Sequence, residues 1–323
     1  MAEQRIVTIT LNPAVDRVLE APGFAVGKHV RGKRVALHPA GKGVNVSRVL
    51  ALLGIRSIAT GFVGQGELGM FEEHLEETGH NRVICQLLIV RARTRDNVTI
   101  VDPIEDTETH VRDEGFEVQP EDVARIASKL ALLSNEDTLM VFAGSLPPGV
   151  SPGAFSHMVD RCNERGARIV VDTSVPGLAD MREAAAWMLK LNREELAAMA
   201  EMPTESEAQV LEACKALFRR GKGRFGHILA TMGADGAILY GETVRLRGRV
   251  GVHPGRIVST VGCGDCMVAG VIAGHIRSGD WTVALREGLA AATAGATERR
   301  AGFINTEDVE EFREAAIVEP LEG

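Results

Sequence analysis

The hydrophobic residues of this chain follow two periods that alternate along it. Short, nearly continuous apolar runs, such as those at 5–13 and 137–145, are typical of strands buried on both faces of a parallel sheet. Between such runs, apolar residues recur every three or four positions, which predicts amphipathic helices at 41–54, 68–79 and 120–133. The alternation predicts an α/β fold with a mostly parallel central sheet and helices on both faces.

Two stretches depart from this alternation. Residues from about 15 to 38 and from about 86 to 112 show short apolar and polar alternation, which predicts antiparallel strands. We therefore expect a small β-sheet lid that projects from the main body. The sequence contains no internal repeat, no low-complexity run and no long linker, so the chain is predicted to form a single domain over 1–323.

Composition narrows the classes of protein to consider. Hydrophobic residues make up 45% of the chain and aromatic residues only 4%, so the core should consist of Val, Ile, Leu and Ala. The net charge of −8 argues against a nucleic-acid partner, since backbone phosphates require a dense basic surface. No apolar run nears the roughly 20 residues of a membrane span, so no membrane partner is expected. Five scattered cysteines and the absence of a signal-peptide pattern favour a cytoplasmic protein with reduced thiols.

The stretch VSTVGCGDCMVAG, residues 258–270, suggests an anion site. An extended segment runs through Gly262, Cys263 and Gly264 into an apolar helix, so backbone N–H groups without helical partners should face whatever lies there. Asp265 falls in the first helical turn, where a carboxylate can accept a proton from an attacking hydroxyl. An ordinary helix start with an acid near the positive end of the dipole is the alternative interpretation.

The same stretch contains a Cys-x-x-Cys spacing, Cys263 and Cys266, that could indicate metal or redox chemistry. A structural zinc site requires four ligands, and neither a second such pair nor a nearby histidine pair is present. A weaker hypothesis is redox control of another activity. A helix N-terminus lowers the pKa of a thiol, which would make oxidation at this position easier.

Other loops at predicted strand ends carry polar residues that suit a sugar or a phosphate. In HPAGKGVNVSR, Gly41 allows close approach, Lys42 supplies a point charge, and Asn45 can donate and accept hydrogen bonds. Asp16 follows the first strand, where an acid could bind sugar hydroxyls. A plain glycine-rich helix start and a solvated turn aspartate are the alternatives.

Two further patterns leave a structural and a functional interpretation open. Arg91, Arg93 and Arg95 alternate and should share one strand face, so Arg95 could clamp a phosphate or belong to a solvated basic surface. Asn192 and Glu195 stand three apart at a predicted helix start. They could hold a hydrated magnesium ion through water, or form a capping box.

Together and in this order, the motifs TITLNPAVD, AGKGVNVSR, TRDNV, GSLPPG, KLNREEL and STVGCGDCMVAG resemble the PfkB, or ribokinase-like, family of carbohydrate kinases from end to end. Within that family they are most similar to the kinases of sugar phosphates. The resemblance implies a ribokinase-like three-layer sandwich with a β-sheet lid, forming one kinase domain. It also implies transfer of the γ-phosphoryl group of ATP to a hydroxyl of a phosphorylated ketohexose, with Mg²⁺ as cofactor.

The resemblance further implies roles for individual residues. Asp265 would act as the base, and the amides of Gly262, Cys263 and Gly264 would form the anion hole. Asp16, Gly41 and Asn45 would position the sugar, and Lys42 and Arg95 would face its existing phosphate. The residues expected at ATP are Lys190, Asn192, Thr231, Gly233, Gly236 and Gly264. Asn192 and Glu195 would act on Mg²⁺ through water. The lid would exclude water during transfer and contribute to a homodimer contact.

Several positions depart from the family pattern. Cys263 replaces the usual Ala, Cys266 the usual Ser, Leu191 a Pro and Thr99 a frequent Lys. These differences leave the acceptor open: fructose 1-phosphate is expected, with tagatose 6-phosphate and fructose 6-phosphate as alternatives. A non-catalytic sugar- or nucleotide-binding protein on the same fold is a hypothesis of another class. The intact Asp265 argues against it, because a binding protein has no need of a base.

Overall fold

The computed structural model describes residues 4–173 and 185–321. The strands are β1 (Arg5–Thr10), β2 (Ala14–Glu20), β3 (Lys33–Ala40), β4 (Ser57–Gly64), β5 (Val83–Val90), β6 (Arg95–Asp102), β7 (Thr107–Arg112), β8 (Thr138–Ala143), β9 (Arg168–Asp172), β10 (Ala186–Asn192), β11 (Phe225–Thr231), β12 (Ala237–Gly241), β13 (Arg245–Val250) and β14 (Ala316–Pro320). The helices are α1 (Lys42–Leu52), α2 (Leu68–Gly79), α3 (Pro120–Leu133), α4 (Pro152–Asn163), α5 (Arg193–Ala200), α6 (Glu207–Gly221), α7 (Cys263–Ser278), α8 (Trp281–Ala296) and α9 (Thr306–Ala315). Over these two ranges, none of the helices has both the length and the apolarity needed to span a membrane.

The main body is a ten-stranded sheet in the order β14-β13-β12-β11-β10-β9-β8-β1-β4-β5. The strands from β5 to β11 in this order pair in parallel. The strands β12, β13 and β14 continue the sheet in antiparallel pairs. The prediction of a mostly parallel sheet is confirmed. Parallel pairing directs the carboxyl ends of seven strands to one edge of the sheet.

Both faces of the sheet are covered by helices. Successive side chains of a strand point to opposite faces, so each strand contributes side chains to two cores. In β8, Met140 and Phe142 join the core beneath α3, α4, α5 and α6. Leu139 and Val141 point to the opposite face, where α1, α7, α8 and α9 pack. Burying each such side chain stabilises the fold by about 1.5–3 kcal/mol. The apolar runs of the sequence are therefore continuous because neither face meets water.

The lid is a separate sheet of four strands in the order β3-β2-β6-β7. Two of its pairings are antiparallel, as predicted, but β2 and β6 pair in parallel. Residues 86–90 were expected among the antiparallel strands of the lid, and this expectation is wrong. They belong to β5, which lies parallel to β4 at the edge of the main sheet. One face of this edge strand is half exposed, so the sequence of this strand resembles that of a lid strand.

An aromatic cluster lies at the opposite edge of the sheet, near the amino ends of β10 and β11. Trp281, at the start of α8, stacks on His275 of α7 with ring centroids 4.3 Å apart. It also lies 4.1 Å from the ring of His227 and 5.1 Å from that of Trp187. The cluster thus joins the C-terminal end of α7 to two strands.

Candidate active site

The loops that follow the parallel strands meet at the carboxyl edge of the sheet, because parallel strands all end at that edge. Asn12 follows β1 and donates to Ser145, which follows β8, at 3.1 Å. Asp172 ends β9 and contacts Lys42 at the start of α1. Asn45 of the same helix contacts Asp265 at the start of α7. These contacts involve five distant parts of the sequence, near residues 12, 42–45, 145, 172 and 265.

Asp265 lies in the first turn of α7 and is only 4% exposed. The side chain amide of Asn45 donates to its Oδ2 at 2.8 Å. Burial and the negative charge of Asp172 raise the pKa of Asp265 to about 6, while Lys42, Asn45 and Lys190 oppose this shift. A carboxylate with such a pKa is ionised at neutral pH and can still accept a proton readily.

The turn before α7 has the backbone geometry of an anion site. Gly262 adopts φ 84°, a left-handed conformation that favours glycine, and no side chain caps the helix. The amide of Cys263 makes a long contact of 3.4 Å with the carbonyl of Thr260. Within the two described ranges, the amides of Gly264 and Asp265 have no acceptor. Two free N–H groups and the helix dipole therefore face the space beside Asp265.

Asp172 is a buried acid that sequence reasoning missed. It is fully buried, and its Oδ1 accepts from Lys42 Nζ at 2.9 Å and from Lys190 Nζ at 3.1 Å. Burial alone would raise the pKa of Asp172, but the two ammonium groups lower it. For Lys42, burial is outweighed by Asp172 and Asp265, which raise its pKa. In the sequence, Asp172 could have been recognised only as the acidic residue that ends an apolar strand.

Lys190 also borders the anion turn. A Cβ atom added to Gly264 would lie 2.9 Å from Lys190 Nζ, so this ammonium group occupies the space that a side chain at 264 would need. Gly43 has a similar role beneath α1, where an added Cβ would lie 2.9 Å from the carbonyl oxygen of Ile9. The glycines of both motifs thus allow close approach of charged groups and backbone.

The lid contributes a row of polar residues across its four strands. The register pairs Asp16 with His38 on one side and with Asn97 on the other, and Asn97 in turn with Arg112. Asn97 Nδ2 donates to Asp16 Oδ1 at 2.9 Å. Burial raises the pKa of Asp16, while Asn97 and Arg112 act in the opposite direction. Asp16 was predicted at the site, whereas its neighbours in this row were not.

Arg95 lies where the lid joins the main body. Its guanidinium donates to the backbone carbonyls of Asn12 at 3.1 Å, Pro13 at 3.3 Å and Asp113 at 2.8 Å. The expected strand face shared with Arg91 and Arg93 does not form. Those two residues lie in the loop before β6, and Arg93 is exposed near Glu67. The chain bends at residues 91–94, which ends the alternation on which that prediction depended.

An open pocket of about 430 Å³ lies beside Arg95. Its lining includes Asn12, Glu114 and Ser145 together with the prolines of the GSLPPG motif. Gly144, the residue before Ser145, packs near Lys42, since a Cβ atom added there would lie 3.8 Å from Lys42 Cβ. The loop that lines the pocket therefore passes close to Lys42.

Asn192 and Glu195 form a reciprocal capping box at the start of α5. Asn192 Oδ1 accepts from the amide of Glu195, and Glu195 Oε2 accepts from the amide of Asn192, both at 2.8 Å. This is the structural alternative that the sequence left open. Glu195 Oε1 lies outside the capping box. No cluster of three or more His, Cys, Asp or Glu side chains suited to a metal occurs in residues 4–173 and 185–321.

The predicted nucleotide residues of the late strands flank this helix. Thr231 ends β11, and its hydroxyl donates to the carbonyl of Leu191 at 3.4 Å. A short 3₁₀ turn, Gly233–Asp235, follows, and Gly236 adopts φ 92°. Asp235 pairs with Arg193 of α5 at 2.6 Å. The Thr231 loop and the start of α5 therefore lie side by side, next to Lys190.

The expectation that the helix start lowers the pKa of the thiols is wrong. Burial, and next Asp265, raise the pKa of Cys263 to about 11. Cys266 is fully buried, and its pKa is raised further by the same two causes. The dipole at the helix start is outweighed by desolvation and by the neighbouring carboxylate. The hypothesis of redox control thereby loses its physical reason.

The fold and this constellation define a class of protein. The site combines an acid, free amides at a helix start and two lysines, and it lies next to a β lid. This combination suits an enzyme that transfers a phosphoryl group to a hydroxyl. The profile of the pfkB family carbohydrate kinases matches residues 6–308, and the chain belongs to this family of ATP-dependent sugar kinases.

Relatives of known name support this membership. The chain is 36% identical to the 1-phosphofructokinase of Escherichia coli K12 over 294 residues, which cover 89% of this chain and 90% of that one. It is 30% identical to the 1-phosphofructokinase of Haemophilus influenzae, with 98% and 99% covered. The fold is similar to that of phosphofructokinase-2 from Escherichia coli in complex with potassium, with a TM-score of 0.89 at 21% identity and 96% and 98% coverage.

Proposed function

We propose that this kinase phosphorylates fructose 1-phosphate, converting it with ATP into fructose 1,6-bisphosphate and ADP. The observation that carries the proposal is the placement of Asp265, which lies beside the free amides of α7 and is held by Asn45. The relatives named 1-phosphofructokinase, each aligned over most of its length, support the choice of acceptor.

Asp265 acts as the base in this proposal. The acceptor hydroxyl attacks the γ-phosphorus of ATP, the bond from that phosphorus to the bridging oxygen breaks, and ADP leaves with the electron pair. The hydroxyl proton passes to Asp265. Charge that develops on the transferred group is stabilised by the amides of Gly262, Cys263 and Gly264, of which that of Gly264 is free, and by the ammonium groups of Lys42 and Lys190.

The acceptor lies between the lid and the sheet. Asp16, Gly41 and Asn45 are proposed to bind its hydroxyls, because all three border the start of α1 and the lid. Arg95, beside the pocket, would hold the existing phosphate bidentately after releasing one or more of its carbonyl contacts. Lys42 would add its charge from the side of Asp172.

ATP would bind along the late strands, where Lys190, Asn192, Thr231, Gly233 and Gly236 lie together. Mg²⁺ fits there only through its hydration shell, since the capping box already uses one oxygen each of Asn192 and Glu195. Glu195 Oε1 and water would hold the ion, which, when bound, neutralises charge on the ATP phosphates.

We also propose a homodimer formed through the lid and a cytoplasmic location. Val35 on β3 and Val111 on β7 are more than half exposed on the two edge strands of the lid, where unpaired backbone groups favour association. The five cysteines are free, which suits a reducing compartment.

A coupled assay of ADP release over a panel of hexose phosphates tests the substrate. Fructose 1-phosphate should give the highest kcat/KM, with tagatose 6-phosphate and fructose 6-phosphate at least tenfold lower, an order of magnitude typical of a misplaced phosphate contact. A higher value for either alternative would identify that sugar as the acceptor. Binding without turnover across the panel would favour the non-catalytic hypothesis.

The variant Asp265→Asn tests the base. It should lower kcat by about 100- to 10,000-fold, because proton transfer by a positioned group contributes that much. The apparent affinity for the sugar should change little. A variant with full rate would show that Asp265 is not the base.

A further inference from the structure

Arg48 is a buried cation three residues after Asn45 in the sequence. It lies on α1 and is only 2% exposed. Its Nε donates to the carbonyl of Gly302 at 2.9 Å, and Nη2 donates to the carbonyl of Ala301. Nη1 lies 2.7 Å from His74 Nε2. In the part of the chain that the structure describes, Arg48 makes no ion pair with a carboxylate.

The remaining contact of Arg48 leads to the predicted base. Nη2 of Arg48 donates to Asn45 Oδ1 at 3.0 Å, and Asn45 Nδ2 donates to Asp265 Oδ2 at 2.8 Å. A guanidinium can only donate hydrogen bonds, so the atom of Asn45 that faces it must be the oxygen. The amide nitrogen of Asn45 must then face Asp265. This fixes Oδ2 as an acceptor and leaves Oδ1 as the oxygen that can take a proton.

We propose that Arg48 is a positioning residue, which fixes the amide orientation of Asn45 so that Asp265 receives the acceptor's proton on Oδ1. The inference rests on the proposed role of Asp265 as the base. Without Arg48, Asn45 is free to rotate by 180° and present its oxygen to Asp265. Two oxygens then face each other, and the contact is favourable only when the aspartate is protonated.

The turn at 301–302 is shaped around this arrangement. Gly302 adopts φ 67°, and a Cβ atom added there would lie 2.6 Å from Asn45 Cβ and 2.7 Å from Arg48 Nη2. The same turn supports the start of α7, because a Cβ atom added to Gly262 would lie 2.7 Å from the amide nitrogen of Gly302. The ring of Phe303 stacks on two guanidinium groups. Its centroid lies 4.0 Å from Cζ of Arg48 and 3.8 Å from Cζ of Arg300. One loop therefore holds both Arg48 and the anion turn.

The charges around the two groups set the expected pH dependence. The groups that act on Asp265 are Asp172, Lys42, Lys190, Arg48, Cys263 and Cys266. Those around Arg48 are His74, Arg300, His38, Asp16 and Cys266. Burial, followed by the cation of Arg48, lowers the pKa of His74 to about 4, so His74 is neutral and accepts from Arg48. Loss of Arg48 removes both a positive charge and the donor orientation of Asn45, and both changes raise the pKa of Asp265.

The variant Arg48→Met tests the proposal through the pH profile of kcat. We expect kcat at neutral pH to fall by about 10- to 100-fold, the usual effect of a misplaced catalytic group. The midpoint of the acid limb should move to higher pH by about one unit. KM for ATP should change by less than about threefold, because Asn45 is not among the residues proposed to bind the nucleotide. Arg48→Lys should recover part of the rate, since an ammonium group also only donates hydrogen bonds.

A double-mutant cycle with Asn45→Ala shows whether Arg48 acts through Asn45. In the Asn45→Ala background, Arg48→Met should lower kcat by less than about twofold, because the amide that it orients is gone. Arg247→Met is the matched control. This arginine lies on β13, outside the site, and pairs with Glu207 of α6 and Glu319 of β14. Both kcat and the pH profile should therefore stay unchanged.

Three outcomes would overturn the proposal: an unchanged acid midpoint in folded Arg48→Met, full additivity in the cycle, or no recovery with lysine. If Arg48→Met does not fold, as judged by circular dichroism, Arg48→Gln takes its place in the same cycle. Asp265→Asn separates the two ideas. If that variant keeps its rate, the proposed base is wrong; if it is inactive but the cycle is additive, only the role of Arg48 is wrong.

Discussion

Asp265, the proposed base, carries a charge that is unfavourable in its buried position. Its pKa is raised from 3.8 to about 6, chiefly by burial, so its contribution to folding is fully present below the unfolded value and is lost as pH rises through about 6. At neutral pH the ionised carboxylate therefore destabilises the fold. The role as base that we propose for Asp265 would thus come at the expense of stability.

The variant Asp265→Asn should therefore be more stable than the wild type. We expect a gain of about 2 kcal/mol in the free energy of unfolding at pH 8, which shrinks as pH falls toward 5. Urea denaturation at several pH values measures this difference. A stability gain that stays constant with pH would show that the ionisation of Asp265 is not its cause.

Asp172 and Arg48 shift the pKa of Asp265 in opposite directions. Its negative charge raises the pKa of Asp265, so Asp172→Asn should move the acid midpoint of kcat to lower pH. The change also leaves Lys42 and Lys190 without their shared buried partner, which should lower stability by about 3 kcal/mol. A pH–rate profile and a thermal melt measure the two effects. A midpoint that moves to higher pH would contradict the coupling.

The helix α7 has a glycine in the left-handed region at each end, and only one of the two glycines is packed against backbone. An added Cβ at Gly262 would lie 2.7 Å from Gly302 N and 2.9 Å from Ala301 Cα, whereas Gly279 has open space around it. Strain at positive φ is similar at both positions, with φ 84° and 68°. The two ends of α7 therefore differ mainly in whether an added side chain would collide with neighbouring backbone.

Gly262→Ala should lower kcat at least tenfold, because the start of α7 must shift away from the 301–302 turn. Gly279→Ala should reduce stability by about 1 kcal/mol and leave kcat unchanged. Steady-state kinetics and urea denaturation of both variants measure these effects. Equal loss of activity in the two would show that helix strain, rather than contact with the turn, is responsible.

The bounds of α2 and α3 match the predicted ranges of 68–79 and 120–133 because their amphipathic period and end signals are local. Contacts between distant segments were not predictable in this way. Arg48 looked like an ordinary helix residue, since its partner Gly302 lies 254 positions later. In the sequence Asp172 is simply the last residue of a strand, and only the fold brings Lys42 and Lys190 beside it. The sequence supported no prediction for α9 or β14, which follow residue 300.

The lid projects two exposed valines, and this bears on assembly. Val111 on β7 is 55% exposed, and a charged side chain there should oppose a lid-to-lid contact. Leu132 on α3 is 81% exposed but lies on the main body, so it offers a matched control.

Val111→Asp should shift the protein toward the monomer in sedimentation velocity, whereas Leu132→Asp should not. The shift follows from the cost of burying an unpaired charge, several kcal/mol in a dry interface. A wild type that is monomeric at micromolar concentration would contradict the proposed dimer. Dissociation by Leu132→Asp alone would place the interface on α3.

The aromatic cluster at the far edge of the sheet gives the protein an optical signal of its own. Both tryptophans of the chain lie in it, and Trp281 stacks on His275, which belongs to the last turn of the helix that begins beside Asp265. A displacement of that helix along its axis would change the stacking of indole and imidazole rings. Nucleotide or sugar binding that moves the helix would thus alter the intrinsic fluorescence, with no label attached.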